Sequence, residues 1–191
     1  MAIFSKPGQG RQEMLWNEIA PCSHMLQFYD EDAAFLDSLE GFVAGGFRDS
    51  EGVIVIATQA HLDALDARLH REGFEVDALK RQARYVAIDA PAALAEFMVH
   101  DWPDDEKFEA MVRRLLGRVR RTCPRVRAFG EMVAVLWASG QSAATVRLEY
   151  LWHRLCQAED FSLLCAYPRA GFDDHAAASM QQIRAAHNRM L

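Results

Sequence analysis

The sequence lacks most of the features that mark secreted, membrane-spanning or zinc-finger proteins. Its four cysteines, Cys22, Cys123, Cys156 and Cys165, include no CxxC pair, so no zinc-finger or thioredoxin-like signature is present. Scattered cysteines in a chain of this length fit a reducing compartment. No apolar run approaches the roughly 20 residues that cross a bilayer, and the first residues lack the apolar segment of a signal peptide. We therefore expect a cytoplasmic protein.

A strong charge of either sign is also missing. Against 21 lysines and arginines stand 27 acidic residues, which gives a net charge of −6. That balance provides no general attraction to nucleic acid or to an anionic membrane. The arginines from Arg113 to Arg121 fall on the arc of a predicted helix opposite its apolar stripe, as on a solvated face. We therefore expect no nucleic-acid partner and no membrane partner.

The sequence contains instead a regular succession of apolar strands. With 51% apolar residues over a length typical of one domain, it can bury a core without disulfides. Residues 1–22 are predicted to be a flexible N-terminal arm, and residues 23–191 a single domain. Continuous, β-branched runs predict buried strands at His24–Phe28, Gly52–Thr58, Arg84–Ala90, Val126–Met132 and Phe161–Pro168.

Between these strands, apolar residues recur at helical spacing. The predicted helices cover Phe35–Phe47, Leu62–Leu69, Ala92–Val99, Phe108–Val119, Gln141–Gln157 and Ala176–Met190. In the last helix, Met180, Ile183 and His187 are expected to face inward. Strands that alternate with helices predict an α/β fold of three layers, in which a mainly parallel sheet carries helices on both faces.

Five segments in order, HMLQFYDED, EGVIVIAT, RAFGEMVAVLW, LEYLW and FSLLCAYP, give the sequence a specific resemblance. It resembles the MEDS family, the methanogen/methylotroph sensory domains of regulators of dichloromethane metabolism, which also occur beside signalling kinases. The resemblance runs from about His24 to Tyr167, with a weaker match at IRAAHNRML. It implies a bacterial sensory domain with a fold like that of RecA/KaiC-type ATPases, without the nucleotide chemistry of those enzymes.

The residues themselves support the loss of nucleotide chemistry. An active ATPase of this kind has GxxxxGK[ST] after its first strand, where backbone amides and a lysine hold the phosphates. Here that place is FYDEDAAFL, which has no glycine, no lysine and no serine or threonine hydroxyl for magnesium, and whose Asp30, Glu31 and Asp32 would repel a triphosphate. Glu131 stands where the metal-binding aspartate would be, but one carboxylate alone is not a phosphoryl-transfer site. We predict no enzyme activity, no catalytic residue, no cofactor and no metal.

Ligands bind parallel sheets beyond the carboxyl ends of the strands, which selects Phe28, Tyr29, Glu131 and Tyr167. His24 is added as a histidine at the start of the first strand, and Glu149 as part of the LEYLW segment that carries the resemblance. The predicted ligand-binding residues are His24, Phe28, Tyr29, Glu131, Glu149 and Tyr167. The aromatic residues either line a pocket or simply pack. Glu131 either faces a ligand or anchors a loop through hydrogen bonds, His24 is either a ligand contact or a satisfied core histidine, and Glu149 is either a pocket or lid residue or solvated.

The function predicted from these features is that of a non-enzymatic sensory or regulatory domain. It binds a small organic ligand, or it relays a signal to a histidine kinase or transcription regulator that acts in trans, since no kinase or DNA-binding segment accompanies it. Two alternatives stay open: a residual nucleotide-binding protein or ATPase of RecA/KaiC descent, and a pure protein-interaction module. The oligomeric state is open as well, and calorimetric titration with nucleotide separates the first two hypotheses.

Overall fold

A six-stranded sheet forms the centre of the protein in the computed structural model, which describes residue 19 and residues 23–171 and 177–191. Its strands are β1 (His24–Tyr29), β2 (Gly52–Ala57), β3 (Tyr85–Asp89), β6 (Val126–Gly130), β7 (Ser162–Pro168) and β8 (Arg189–Met190). All five pairings between them are parallel, and their order across the sheet is β3-β2-β6-β7-β1-β8. A separate antiparallel pair consists of β4 (Met98–Val99) and β5 (Trp102–Pro103).

The helices lie on both faces of this sheet. They are α1 (Asp32–Arg48), α2 (Gln59–Arg71), α3 (Val76–Arg81), α4 (Ala90–Phe97), α5 (Asp105–Arg120), α6 (Met132–Ala138), α7 (Ser142–Glu159) and α8 (Ala177–Ala185). Helices α1 to α3 pack against one face and α4 to α7 against the other, where Ile183 of α8 also packs. Side chains alternate between the two faces along β2. Val53 and Val55 therefore pack in the core under α1 to α3, and Ile54 and Ile56 pack in the core under α4 to α7.

The predicted α/β fold is therefore confirmed. A strand that is covered on both faces needs apolar residues at every position, which is what β2 has. Within the described parts of the chain, no helix combines the length and the apolar character that crossing a membrane requires. The likeness to RecA/KaiC-type ATPases stays a prediction, and so does the flexible arm, because residues 1–22 lie almost wholly outside the described residues.

The end of the chain departs from prediction. The terminal helix was expected to continue to Met190, but α8 ends at Ala185 and the chain turns into β8, which pairs with Met25 and Leu26. The helical prediction is wrong there because the free edge of β1 offers the last residues a ladder of backbone hydrogen bonds, which the helical pattern does not take into account. The predicted start at Ala176 lies outside the described residues.

Two further differences are local. The sequence HDWPDD, residues 100–105, predicts a loop, but these residues contain the turn and second strand of the β4–β5 hairpin. The Val126–Met132 strand ends at Gly130, and the unpredicted helix α6 begins at Met132.

Candidate functional site

A buried group of ionisable side chains lies between the sheet and α7. His24 lies on β1, and Cys165 and Tyr167 lie on β7, where the pairing sets Leu26 opposite Cys165. Because side chains alternate along a strand, these three point to the face that α7 covers. Helix α7 supplies Glu149 there, and the turn after α8 supplies His187. All five side chains are inaccessible to solvent.

The carboxylate of Glu149 is at the centre of this group. Its Oε1 accepts a hydrogen bond of 2.5 Å from the Tyr167 hydroxyl. Its Oε2 lies 3.4 Å from Nε2 of His24 and 3.4 Å from Nε2 of His187. The thiol sulfur of Cys165 lies 3.5 Å from the same Nε2 of His24. Four side chains thus gather around one carboxylate, with Tyr167 at one of its oxygens and the two histidines at the other.

Both imidazole rings are oriented by backbone carbonyls. Nδ1 of His24 lies 2.9 Å from the carbonyl oxygen of Ala186, and Nδ1 of His187 lies 2.6 Å from that of Ile183. A carbonyl oxygen only accepts, so Nδ1 carries the proton in each ring. In the neutral ring the bare Nε2 then faces Glu149 with its lone pair.

Protonation inside the group follows from its burial. Burial opposes ionisation of Glu149, but the contacts with His187, His24 and Tyr167 outweigh it and lower the pKa of this carboxyl below its ordinary value. Burial lowers the pKa of His187, which keeps that ring neutral. Burial also raises the pKa of the Cys165 thiol and of the Tyr167 phenol well above their ordinary values. The group therefore combines the Glu149 carboxylate with a neutral His187 ring, a neutral thiol and a neutral phenol.

A second carboxylate, that of Glu131, lies beyond the carboxyl end of β6 on the side of α1 and α2. Its Oε2 accepts from the backbone N–H of Thr58 at 2.8 Å, and its Oε1 lies 2.8 Å from Nδ1 of His61. This hydrogen bond raises the pKa of His61. Burial, followed by the charge of Glu131, raises the pKa of Tyr29 to about 12. Both carboxylate oxygens have protein partners, so the contacts favour the loop-anchoring interpretation.

The six predicted ligand residues therefore divide between two faces of the sheet. His24, Glu149 and Tyr167 come together, and Phe28 lies beside them with its ring 6.1 Å from that of Tyr167. Tyr29 and Glu131 lie on the opposite face, where Tyr29 stacks on Phe35 at 4.7 Å. A ligand-binding role for any of these residues stays a prediction.

Four residues of these two clusters were not selected from the sequence as site residues: His61, His153, Cys165 and His187. Signals for two of them exist. Cys165 stands two positions before Tyr167 on one strand, which puts both on the same face. His153 stands four positions after Glu149 on one helix, which also gives a shared face. Its ring lies 5.9 Å from that of His24.

A groove on the surface reaches this buried group through His153. It runs between α7 and the C-terminal segment, which we define as residues 177–191, and it has a volume of about 540 Å³. Two of its aromatic side chains are largely exposed, Trp102 at 47% and Tyr150 at 52%. The lining residues are Trp102, Ala143, Val146, Arg147, Tyr150, His153, Gln182, Ala185 and Ala186.

The fold, the buried group and the groove define an α/β domain that holds ionisable side chains under its helices, with a surface groove beside them. The chain belongs to the MEDS family, described as the MEthanogen/methylotroph, DcmR Sensory domain, whose sequence pattern matches residues 23–188. A protein of Pyrococcus horikoshii OT3, solved in a structural project, is similar in fold, with a TM-score of 0.58 and 9% identity over 94% of this chain and 86% of that one. No curated protein matches the sequence.

Proposed function

We propose that the chain is a non-enzymatic sensory domain in which a small organic ligand occupies the groove between α7 and the C-terminal segment. Membership of a sensory family supports the class of function. The volume of about 540 Å³ lies within the range of roughly 300–1,000 Å³ that small-molecule sites have. Exposed aromatic rings at Trp102 and Tyr150 offer apolar contact to such a ligand, and His153 and Gln182 offer polar contacts.

One observation carries the proposal: the groove and the buried group share the C-terminal segment. Ala186 lines the groove, and its carbonyl oxygen holds Nδ1 of His24. Two residues further on, the backbone N–H of Asn188 donates to the carbonyl of His24 at 3.0 Å. A ligand that moves this segment therefore also moves His24 and the edge of the sheet.

The C-terminal segment is suited to report occupancy of the groove. Ile183 and the side chain of His187 are buried, but nine of its fifteen residues are exposed and β8 has only two residues. Elements with few buried contacts open at lower free energy than the core does. We propose that a signalling protein in the cytoplasm, a histidine kinase or a transcription regulator acting in trans, recognises the position of this segment.

The test fills the groove without touching the buried group. Ala143 and Ala95 are both exposed alanines on helices, but only Ala143 lines the groove. Dichloromethane and short alcohols serve as probes, and backbone amide NMR of residues 182–186 is the readout. We expect saturable shifts in the unmodified protein and in Ala95→Trp, and none in Ala143→Trp. Shifts that persist in a folded Ala143→Trp protein would contradict the proposal.

The nucleotide-binding alternative is tested by the same titration with ATP and magnesium. The turn from β1 into α1 presents Asp30, Glu31 and Asp32 in place of glycines and a lysine. Helix N-termini bind phosphate through free N–H groups and a positive dipole, which these carboxylates oppose. We expect no saturable heat and no shift at residues 28–35, and a tight isotherm would favour the alternative.

A further inference from the structure

Four groups of the metal-ligand type converge in the buried group. Nε2 of His24, a carboxylate oxygen of Glu149, the sulfur of Cys165 and a ring nitrogen of His187 all lie within 4.8 Å of one another. We propose that these four side chains bind one divalent transition-metal ion of the zinc type. The metal site lies in the protein interior, and metal binding there does not depend on an organic ligand in the groove.

The distances fit a four-coordinate site. Zinc takes nitrogen and oxygen ligands at about 2.0–2.2 Å and sulfur at about 2.3 Å in a tetrahedron, so its ligand atoms lie about 3.3–3.8 Å apart. In this structure Oε2 of Glu149 lies 3.4 Å from Nε2 of each histidine, and Cys165 Sγ lies 3.5 Å from Nε2 of His24. Three of the separations are thus already those of a coordinated ion.

The surroundings orient the four groups as ligands. Each imidazole donates Nδ1–H to a backbone carbonyl, which is the usual outer contact of a metal-bound histidine and leaves Nε2 free. Tyr167 occupies the other oxygen of Glu149 and leaves Oε2 facing the two rings. Outer contacts of this kind fix a ligand's tautomer and direction before the ion arrives.

A cation would satisfy buried atoms of this group that otherwise have no partner. Within residues 23–171 and 177–191, neither Oε2 of Glu149 nor Nε2 of His187 has a hydrogen-bond partner, although both atoms are buried. In the same ranges no lysine or arginine forms an ion pair with Glu149. Buried charges in proteins are paired or coordinate metals, and buried polar atoms are normally bonded. A divalent ion satisfies both atoms at once.

The donor set narrows the choice of ion. Two imidazoles, a thiolate and a carboxylate suit zinc and its transition-metal neighbours, whereas magnesium and calcium prefer oxygen alone. On binding, the Cys165 thiol releases its proton to solvent and the sulfur coordinates as the thiolate. The ligands come from β1, α7, β7 and the turn after α8, so the ion would fasten the C-terminal segment to the sheet.

Metal content and cobalt substitution test the proposal on the full chain. Protein expressed in zinc-supplemented medium is measured for bound metal by mass spectrometry, then stripped with chelator and titrated with Co²⁺. We expect about one zinc ion per chain and an intense visible spectrum with a near-ultraviolet thiolate band, as tetrahedral cobalt with one sulfur ligand gives. Metal-free native protein combined with only the weak spectrum of octahedral cobalt would overturn the proposal.

Two variants assign the ligands. Cys165→Ala should remove the thiolate band, whereas Cys123→Ala, a change at a buried cysteine outside the group, should keep it. His187→Gln should weaken zinc binding roughly 100-fold or more, since even outer contacts of metal ligands contribute 10–100-fold. The His187→Gln result keeps the assignment testable if Cys165→Ala does not fold. Unchanged cobalt spectra and unchanged affinity in folded variants would place the ion elsewhere and overturn the site.

Discussion

Two glutamates, Glu131 and Glu149, are both buried and both contact histidine, yet their surroundings differ in kind. Glu131 is 6% exposed and has a backbone N–H and a ring nitrogen at 2.8 Å on its two oxygens. Glu149 is fully buried, and one of its oxygens faces ring nitrogens whose protons lie on the far side. Burial of a carboxylate therefore does not mark a site by itself. A carboxylate with a partner on each oxygen anchors a loop, whereas one whose oxygen faces unprotonated ring nitrogens is suited to coordinate a metal ion.

The largest expected difference between these two glutamates concerns zinc-dependent stability. An ion that binds only the folded state stabilises it by about 3–4 kcal/mol at 100 to 1,000 times its dissociation constant. We expect the free energy of unfolding of the unmodified protein and of Glu131→Gln to rise by this amount from chelator to zinc buffer. In Glu149→Gln the rise should disappear. Urea unfolding in both buffers measures it, and an equal rise in all three proteins would refute the contrast.

A second, smaller contrast compares the tyrosines beside the two carboxylates. Tyr167 donates to the buried Glu149 at 2.5 Å. A hydrogen bond to a charged group is worth about 1.5–3 kcal/mol, so Tyr167→Phe should lower the free energy of unfolding by that amount.

The matched change is Tyr29→Phe, which also removes a hydroxyl from a buried tyrosine. That hydroxyl has no hydrogen-bond partner within residues 23–171 and 177–191, so we expect a change within about 0.5 kcal/mol. Both variants are unfolded with urea in chelator. Equal decreases in the free energy of unfolding would show that the hydrogen bond from Tyr167 to Glu149 adds no stability.

The smallest expected effect is the pH dependence of the stability that the His61–Glu131 pair contributes. The hydrogen bond to Glu131 outweighs the burial of His61 and raises the pKa of His61 above its ordinary value, with further contributions from the charges of Glu131 and Asp32. The stabilisation from this pair is therefore complete below the unfolded-state pKa of about 6.5 and is lost as pH rises through the higher folded-state pKa. Because the pair is partly exposed, solvent screening keeps the effect modest.

His61→Asn is the test of this pH dependence. The stability difference between the unmodified protein and His61→Asn should shrink as the pH increases from about 6 to 8, as measured by urea unfolding. A difference that stays constant or grows over this range would show that the contact does not favour the charged ring.

The sequence was sufficient for the sheet and insufficient for the grouping of the site. Runs such as GVIVIAT predict a strand covered on both faces, because a strand with one solvated face alternates apolar and polar residues. Tyr29 and Tyr167 were placed at one edge because both stand near strand ends. They point to opposite faces, which follows from the register of Phe28 with Tyr167 and not from either segment alone.

The remaining errors have the same origin. The sequence indicates an inert core thiol at Cys165 and an inward-facing helical residue at His187, because each lies among apolar residues of its own strand or predicted helix face. Their contact with His24 depends on the pairing of β1 with β7 and β8, which joins the two ends of the described domain. No local pattern carries information on a contact between residues so far apart in sequence.

Strand β1 also has a consequence for the order of folding. It is among the first parts of the domain to be synthesised, but both of its neighbours in the sheet, β7 and β8, come from the last part. Contacts between distant segments require closure of a long loop and form slowly. We therefore expect the strands β2, β3 and β6 to assemble first, while β1 stays unpaired until β7 has been synthesised. The buried histidines, cysteine and glutamate come together only when the last segments of the domain close the sheet.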